Sequence, residues 1–232
     1  MFNKIAVALL ALSLAACATL HPHRVAPPAA APLLSRLEAL PPAGSYQVDS
    51  QNSELRVLVY RGGALANLGH NHVMVNHGVT GVVQVGATLD TSSFTLQMAV
   101  EGFVIDEPQA RREEGSDFEG DIAEDAKAGT RLHMLSAGQL NAAEFPTITV
   151  RSVNLSGTLD ALTADLTIGI AGREAGVSAA CSLQGDAHTL TAEGSLALRQ
   201  TALGMTPYSL LHGALQVEDV MQLKFRIVVP IN

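Results

Sequence analysis

The stretch Val220–Val229, VMQLKFRIVV, carries the clearest structural signal in this chain. Its apolar and polar side chains alternate residue by residue, which is the period of an extended strand with one face in a core and the other in water. The apolar face comprises Met221, Leu223, Phe225, Ile227 and Val229, and the polar face comprises Gln222, Lys224 and Arg226. This stretch therefore predicts a β-strand that borders a core on one side only.

Two runs further upstream also show strand patterns. ELRVLVYR, residues 54–61, is a short β-branched run that is partly apolar on both faces. FTLQMAVEGFVI alternates Phe94, Leu96, Met98 and Val100 with Thr95, Gln97, Ala99 and Glu101. The turn signals between the candidate strands are VGATLD, NLSGTLD, AGREAG and QGDAH. About eight such runs at hairpin spacing predict an all-β chain folded as an antiparallel barrel or sandwich.

The composition argues against two classes of partner. Of the 232 residues, 14 are Lys or Arg and 22 are Asp or Glu, which gives a formal net charge of −8. The basic residues are scattered, whereas nucleic-acid phosphates and anionic lipid surfaces attract clustered Lys and Arg. We therefore expect neither nucleic-acid binding nor electrostatic docking on a membrane. The aromatic share is only 4%, so a core built by this chain has few bulky side chains.

The N-terminus has the features of an export signal. Lys4 precedes the apolar run 5–16, which is too short to span a bilayer stably. The tetrad LAAC that ends at Cys17 resembles the lipobox of bacterial lipoproteins, in which cleavage precedes a cysteine that then receives a diacylglycerol. The alternative is a plain secretory signal with a chance cysteine at the cleavage site. The resemblance implies a signal peptide over residues 1–16 and, because Ala18 follows the lipidated Cys17, a periplasm-facing lipoprotein of the bacterial outer membrane.

The composition changes after the lipobox. Residues 17–44 are rich in Ala and Pro and predict a tether, because proline removes backbone donors and favours extended conformers. Residues 45–232 form the predicted barrel domain. Lipidation of Cys17 leaves Cys181 without a disulfide partner, and the apolar surroundings of Cys181 predict a small core residue.

One segment lacks the alternating pattern of the predicted strands. Residues 107–129, EPQARREEGSDFEGDIAEDAKAG, are highly charged and mostly acidic. They lack the Asp-x-Asp-x-Asp-Gly spacing of a calcium loop. We predict a solvated loop with about one helical turn.

Five motifs in order along the chain resemble those of the YceI-like family. They are SYQVDSQNSELRVLVY (45–60), HMLSAGQLNAAEFPTITVRS (133–152), LTADLTIGIAG (162–172), LRQTALGM (198–205) and LQVEDVMQLKFRIVV (215–229). The chain departs from the family pattern at Asn52 and Ala171, where the family has histidines, and it carries the variant motif GHNH at 69–72. The resemblance implies an antiparallel, lipocalin-like β-barrel of about eight strands with a short helical or loop insertion.

The same resemblance implies a ligand. Some members of the family bind a polyisoprenoid, such as the tail of a quinone or prenol, in a long apolar tunnel. A barrel of about eight strands is wide enough for one narrow ligand if its interior side chains are small, as the low aromatic content allows. We therefore expect an isoprenoid-like lipid as the bound partner, no catalytic activity, no required cofactor and no metal. The resemblance also allows a homodimer.

The stretch LGHNHVMVNHG, residues 68–78, concentrates three histidines. In a strand, His70 and His72 share one face and His77 has the opposite parity. Three interpretations stay open. The pair His70 and His72 binds the polar head of a lipid-like ligand, or it chelates a transition metal with His77 or His133, or it is structural and bonded to neighbouring backbone.

Further candidate ligand contacts complete the predicted site. They are Met74, on the strand face of the histidine pair, together with His133, Phe145, Arg199 and Tyr208. His133 and Phe145 lie in a motif that carries the resemblance, whereas Arg199 and Tyr208 are polar side chains that a tunnel can use. Two alternative functions remain: a metal-binding or redox-accessory periplasmic protein built on the histidines, and a structural or stress-response envelope factor without a ligand.

Overall fold

The structure is a computed structural model that describes residues 35–231, and β-strands dominate this part of the chain. The strands are β1 (Ser35–Arg36), β2 (Gly44–Gln47), β3 (Glu54–Val59), β4 (Arg61–Gly62), β5 (His72–Asn76), β6 (Thr80–Val85), β7 (Ser93–Ala99), β8 (Phe103–Ile105), β9 (Thr147–Thr158), β10 (Ala161–Ile170), β11 (Arg173–Gly185), β12 (Thr189–Arg199), β13 (Ser209–Leu210), β14 (Leu215–Val217) and β15 (Val220–Pro230). The α-helices are α1 (Pro108–Glu113) and α2 (Glu124–Leu135).

One curled antiparallel sheet forms the body of the protein. Its strands follow the order β2-β6-β7-β9-β10-β11-β12-β15-β3-β5-β8, and β1 pairs with β11. The sheet curls into a half-barrel, as a twisted sheet with this many strands does. The predicted all-β, lipocalin-like class is confirmed. The strand number exceeds the expected eight or so because short segments such as β1 and β8 also pair.

The predicted alternation of β15 is present in the structure. β15 lies between β12 and β3. Its apolar face, the one that ends in Val229, points into the half-barrel. Lys224, on the other face, is exposed and reaches Glu114 of the acidic segment. The apolar face of β15 thus forms part of the wall of the interior.

The predicted turn signals join the long strands as tight hairpins. NLSGTLD contains the two-residue turn between β9 and β10, and QGDAH connects β11 to β12. Ala171 and Gly172 form the turn between β10 and β11, with φ values of 49° and 74°. Positive φ at both central residues is what a two-residue hairpin turn of matching twist requires. A side chain at Gly172 would also collide with the ring of Phe145.

The acidic segment 107–129 is more ordered than predicted. It contains α1, a 3-10 turn at Ser116–Phe118 and the first half of α2, rather than a solvated loop. Its anchor is Phe118, which is 2% exposed and contacts the ring of Tyr60 edge-on at 5.5 Å between centroids. Phe118 belongs to a second apolar cluster with Leu58, Val73, Val75 and Ala110. The segment therefore covers the outer face of β3 and β5.

Ion pairs hold the same segment against the sheet. The guanidinium of Arg56, on β3, lies 2.7 Å from a carboxylate oxygen of Glu113 and 3.3 Å from one of Glu114. The ammonium of Lys224, on β15, lies 2.5 Å from Glu114. Glu113 and Glu114 thus pair with basic side chains on the outward face of the sheet and hold this part of the segment against it.

A small antiparallel sheet, in the order β13-β14-β4, lies where the chain leaves β3. The amide of Val217 donates to the carbonyl of Tyr208 at 2.8 Å, and the amide of Leu65 donates to the carbonyl of Ala214 at 2.7 Å. These bonds join two chain segments that are distant in sequence. No helix in the described residues is long and apolar enough to cross a membrane.

The globular unit begins before residue 45. β1 pairs with β11, and Leu37 and Leu40 pack against the core, although both leucines lie in the segment predicted as a tether. The signal peptide, Cys17 and the start of the tether lie outside the described residues.

Candidate functional site

The half-barrel encloses a cavity of about 620 Å³, which is within the range of small-molecule sites. The inward faces of the long strands form its wall. From β10 come Leu162, Ala164, Leu166, Ile168 and Ile170, from β12 Leu190, Ala192, Leu196 and Leu198, and from β15 the five apolar residues predicted to share a face. β3 and β7 add Leu55, Val57, Val59, Phe94, Leu96 and Met98. The wall is therefore overwhelmingly apolar.

The polar lining groups gather at one end of the cavity, which we call the mouth. They are Arg61, His70, His72, Thr130, His133, Gln139, Gln200, Tyr208 and Gln216. β12 ends and β15 begins at this end, whereas the hairpin between β11 and β12 lies at the opposite, closed end. Among the described lining residues away from the mouth, the polar exceptions are the hydroxyl of Ser92 and the thiol of Cys181.

Cys181 behaves as part of the apolar wall. It is half-buried and faces the cavity from β11. Burial raises the pKa of its thiol to about 11, so the thiol is neutral at physiological pH. A neutral, desolvated thiol is a small apolar group rather than a nucleophile.

At the mouth, a buried carboxylate orients His72. The Nδ1–H of His72 donates to Asp106 Oδ2 at 2.6 Å, and Arg111 donates to Asp106 Oδ1 at 2.7 Å. The backbone amide of Val73 also donates to Asp106 Oδ1, at 2.9 Å. With Nδ1 held by Asp106, the Nε2 atom of His72 is left for the cavity side, where the hydroxyl of Thr130 lies 3.4 Å away.

Asp106 stays ionised in this position. Burial alone raises the pKa of its carboxyl, but hydrogen bonds from His72, Val73 and Arg111 outweigh burial and the pKa lies below the ordinary value. Asp106 is fully buried and has a φ of 55°, a left-handed conformation that Asp and Asn tolerate better than most residues. The bend that follows β8 thus places this carboxylate under the histidine.

Asn71 lies between the two histidines of the GHNH motif and fixes the chain there. Its Oδ1 accepts from the amide of Arg61 at 3.0 Å, and its Nδ2 donates to the carbonyl of Asp117 at 2.8 Å. Arg111 donates to the carbonyl of Asn71 at 2.8 Å. The motif is therefore tied to β4 on one side and to the acidic segment on the other.

His70 and His72 both line the cavity, and their ring centroids are 6.1 Å apart. Met74 lines it from the next inward position of β5. His77 lies outside it, is exposed, and its Nε2 contacts the carboxylate of Glu107 at 3.0 Å. The opposite parity of His77 separates it from the pair.

α2 closes part of the mouth with His133. His133 lines the cavity, and its ring lies 4.1 Å from that of Tyr208 between centroids. Its buried Nε2 has no hydrogen-bond partner, and burial lowers the pKa of the imidazole. Thr130 and Ala126, one and two turns earlier on α2, also face the cavity. An unpaired buried nitrogen at the mouth of an apolar cavity is suited to a polar group of a ligand.

The four histidines named as alternative metal ligands are not brought together. His70, His72 and His133 all line the mouth, but His77 is on the outside of the sheet. Within residues 35–231, no group of three or more His, Cys, Asp or Glu side chains is placed to hold a metal ion.

Two candidate ligand residues lie away from the cavity. Phe145 packs against the hairpin at Gly172, so its ring supports the turn between β10 and β11. Arg199 is on the outer side of β12 and pairs with Asp219 at 3.2 Å. Neither residue is among those that line the cavity.

Comparison with known proteins places the chain in a family. A family model for the YceI-like domain matches residues 46–229. The chain belongs to the YceI-like family. No curated protein matches the chain.

Solved structures share the fold of this YceI-like protein. The crystal structure of BcnA from Burkholderia cenocepacia matches with a TM-score of 0.57 and 16% identity, over 78% of this chain and 98% of BcnA. A polyisoprenoid-binding domain from Saccharophagus degradans, implicated in plant cell wall breakdown, matches with a TM-score of 0.53 and 10% identity, over 81% of this chain and 98% of that domain. At these identities the likeness shows the fold alone.

Three residues that form or support the mouth of this YceI-like protein were not predicted. Arg111 lies in the acidic segment, which was expected to be a solvated loop, Asp106 directly precedes that segment, and Thr130 follows it. A signal for Asp106 did exist, because the acid directly follows the apolar strand FVI and precedes Glu-Pro, where α1 begins. An acid at the end of a core strand is placed to be buried and to need a partner.

Proposed function

We propose that this YceI-like protein binds one isoprenoid-like lipid, with the tail in the apolar cavity and the polar head at the mouth, and that it holds or carries this lipid without catalysing a reaction. The observation that carries the proposal is the polarity of the cavity: an apolar wall with its histidines, glutamines and Tyr208 at one end. This arrangement is complementary to a molecule with one polar end.

The tail supplies most of the affinity in this proposal. Each methylene group moved from water into an apolar wall contributes ~0.8 kcal/mol, and a long tail has many of them. A hydrogen bond to the head contributes only about 0.5–1.5 kcal/mol net. The cavity wall therefore determines whether a lipid binds, and the mouth determines which end points outward and which head is preferred.

The head-group contacts in this proposal are His72, Thr130 and His133. His72 is oriented by Asp106, so its Nε2 has a defined direction. His133 offers an Nε2 without a partner. A quinone carbonyl or a prenol hydroxyl has the hydrogen-bonding atoms that these groups need, because a hydroxyl donates and accepts and a carbonyl accepts.

We also propose that the protein works at the bacterial envelope, as a lipoprotein anchored through Cys17 to the outer membrane. The support is the LAAC tetrad and the Ala18 that follows it. A diacylated cysteine would keep the protein close to the membrane that supplies its ligand.

Lipid extraction tests the proposal. The full chain is expressed in a Gram-negative bacterium, purified from the envelope and extracted with organic solvent, and the extract is examined by mass spectrometry beside elemental analysis of the protein. We expect one isoprenoid-like lipid per chain in addition to the acyl groups on Cys17.

Other outcomes of this experiment favour the alternatives. A protein with no bound lipid, and with no increase in thermal stability on addition of a prenyl quinone, would contradict the proposed carrier function. A structural role would then remain. Stoichiometric zinc or copper that is lost on His70→Ala would instead support a metal-binding protein.

A further inference from the structure

We propose that the rim of the cavity mouth is a docking surface for a lipid bilayer, so that the ligand passes between membrane and cavity without crossing water. This inference rests on the proposed function, because a bilayer is the source of an isoprenoid-like ligand. It assigns a role to a set of leucines that line no part of the cavity.

Exposed apolar side chains concentrate at the mouth. Among the residues whose burial the structure describes, the large exposed hydrophobic residues are Leu68, Val104, Leu132, Val153, Tyr208, Leu210 and Leu211. Five of these seven flank the mouth. Leu68 precedes the lining residues Gly69 and His70, Leu132 precedes His133, Tyr208 lines the mouth itself, and Leu210 pairs with the lining residue Leu215. We call Leu68, Leu132, Leu210 and Leu211 the rim leucines.

The backbone holds one of the rim leucines outward at a cost. Leu211 has a φ of 51° and His212 a φ of 56°, so two consecutive residues other than glycine adopt the left-handed conformation. Leu211 is nevertheless 66% exposed. Strained backbone that presents an exposed apolar side chain points to a function.

The low charge of the rim segments favours contact with a bilayer over exposure to water. The rim segments 62–70 and 200–217 contain no Asp, Glu, Lys or Arg, in a chain with a net charge of −8. These two segments can enter the interfacial region of a bilayer without desolvating ions. The charges beside the other rim positions, Arg131 next to Leu132 and Arg61 at the mouth, are basic and are not repelled by anionic lipids. This mode of docking differs from the electrostatic one that the scattered basic residues exclude.

The proposed anchor leaves the mouth free to reach the membrane. β1 pairs Ser35 with Gly185 at the closed end of the half-barrel, so the described chain begins far from the mouth. β12, which runs between the two ends, has 11 residues and is about 36 Å long. The chain from Cys17 to Ser35 can span up to about 60 Å. An anchored protein can therefore turn its mouth toward the bilayer.

Fluorescence quenching tests the docking. A fluorophore is attached at Leu211→Cys, or at Ala187→Cys on the closed end as the matched control, in the full chain with Cys181→Ala. Each protein is reconstituted through its own anchor into phosphatidylcholine vesicles that contain brominated lipid. We expect loss of fluorescence at position 211 and none at position 187. Equal fluorescence at the two positions overturns the docking, and labelling of the parent Cys181→Ala chain at Cys17 overturns the proposed lipidation.

Ligand transfer separates docking from binding. The double variant Leu68→Asp, Leu211→Asp is compared with the control Val153→Asp, an exposed change on the outer face of β9. We expect all three proteins, wild type included, to bind a prenyl quinone equally in detergent. Transfer of the quinone from donor to acceptor vesicles should slow about tenfold or more in the double variant only, because a leucine withdrawn from an apolar environment weakens an interaction by at least that factor.

Two results overturn the inference, and a third overturns the proposed function. Unchanged transfer in the double variant shows that the rim does not dock. Dimers of the wild type that the double variant converts to monomers, without quenching at position 211, show that the rim binds a second copy instead. Absence of quinone binding in every protein, wild type included, contradicts the proposed function itself.

Discussion

His133 is the residue whose environment is hardest to explain without a ligand. Its Nε2 is buried and unpaired, a state that costs about 1–3 kcal/mol. The tilted ring of Tyr208 accounts for the packing of the imidazole but leaves its Nε2 without a hydrogen-bond partner. A ligand head group that hydrogen-bonds to Nε2 would give this nitrogen its missing partner.

His133→Phe should therefore separate head recognition from tail binding. Phenylalanine keeps a ring packed against Tyr208 and removes the nitrogen. We expect affinity for a prenyl quinone to fall about five- to tenfold, the loss of one hydrogen bond, and affinity for squalene, which has no polar head, to stay unchanged. Titration of the purified protein with each lipid measures both. An equal loss for the two lipids would show that His133 is only part of the wall.

Asp106 is the residue on which the geometry of the mouth depends. Asp106→Asn keeps the shape of the side chain and tolerates the left-handed backbone, but it leaves the guanidinium of Arg111 buried without a carboxylate partner. We expect the free energy of unfolding to fall by about 3 kcal/mol, measured by urea denaturation. Asp121→Asn, an exposed change in the same acidic segment, is the matched control and should have almost no effect. Similar stability of the two variants would mean that the ion pair is not formed in solution.

The same carboxylate predicts a pH dependence. The pKa of Asp106 in the folded protein lies below the ordinary value, so its contribution to stability is complete above the pKa of the unfolded chain, about 3.9. It is lost as the pH falls through the folded value. The stability difference between wild type and Asp106→Asn should therefore be constant near neutral pH and shrink in acid. Urea denaturation of both proteins at several pH values measures it, and a difference that grows in acid contradicts the assignment.

At the scale of elements, the acidic segment 107–129 is a structural cover as well as a charged surface. α1 and the 3-10 turn lie over the outer face of β3 and β5. Hydrogen bonds from Asn71 to Asp117 and from Arg111 to Asp106 join the segment to the residues that support the mouth. Damage to the cover should reach the site through these bonds.

Phe118→Ala should show how much the cover contributes. Phe118 is 2% exposed in the second apolar cluster, and loss of a buried phenylalanine costs about 3–5 kcal/mol. Leu132→Ala, at a position that is 75% exposed on α2, should stay within about 0.5 kcal/mol of wild type. Urea denaturation of both variants gives the comparison. Equal stabilities would indicate that the segment is detached in solution.

Strand elements were predictable from sequence, and their tertiary partners were not. The alternation in β15 identified the side chains that form one wall of the cavity, because period-2 patterning is local. The docking of Phe118 and the bond between His72 and Asp106 join positions far apart in the sequence. Such pairings depend on how β5 lies beside β8, which no local pattern encodes. For the same reason Phe145 and Arg199 were assigned to a cavity that they do not line.

At the scale of the whole molecule, the proposed lipid binding depends on the space inside the half-barrel. Ala164 and Ala179 are opposite each other on β10 and β11, and both face the cavity. Two small side chains at paired positions leave room that a larger residue would fill. The low aromatic content predicted this openness, although its volume and its one-sided polarity emerge only from the fold.

Filling this space should abolish the proposed lipid binding. Ala179→Phe places a ring in the cavity, whereas Ala180→Phe places the same ring on the exposed outer face of β11, one residue along. The measurement is the stoichiometry of prenyl quinone bound to each purified protein, beside its thermal stability. We predict one quinone per chain for wild type and Ala180→Phe, and none for a folded Ala179→Phe. Full binding by Ala179→Phe would contradict a ligand site inside the half-barrel.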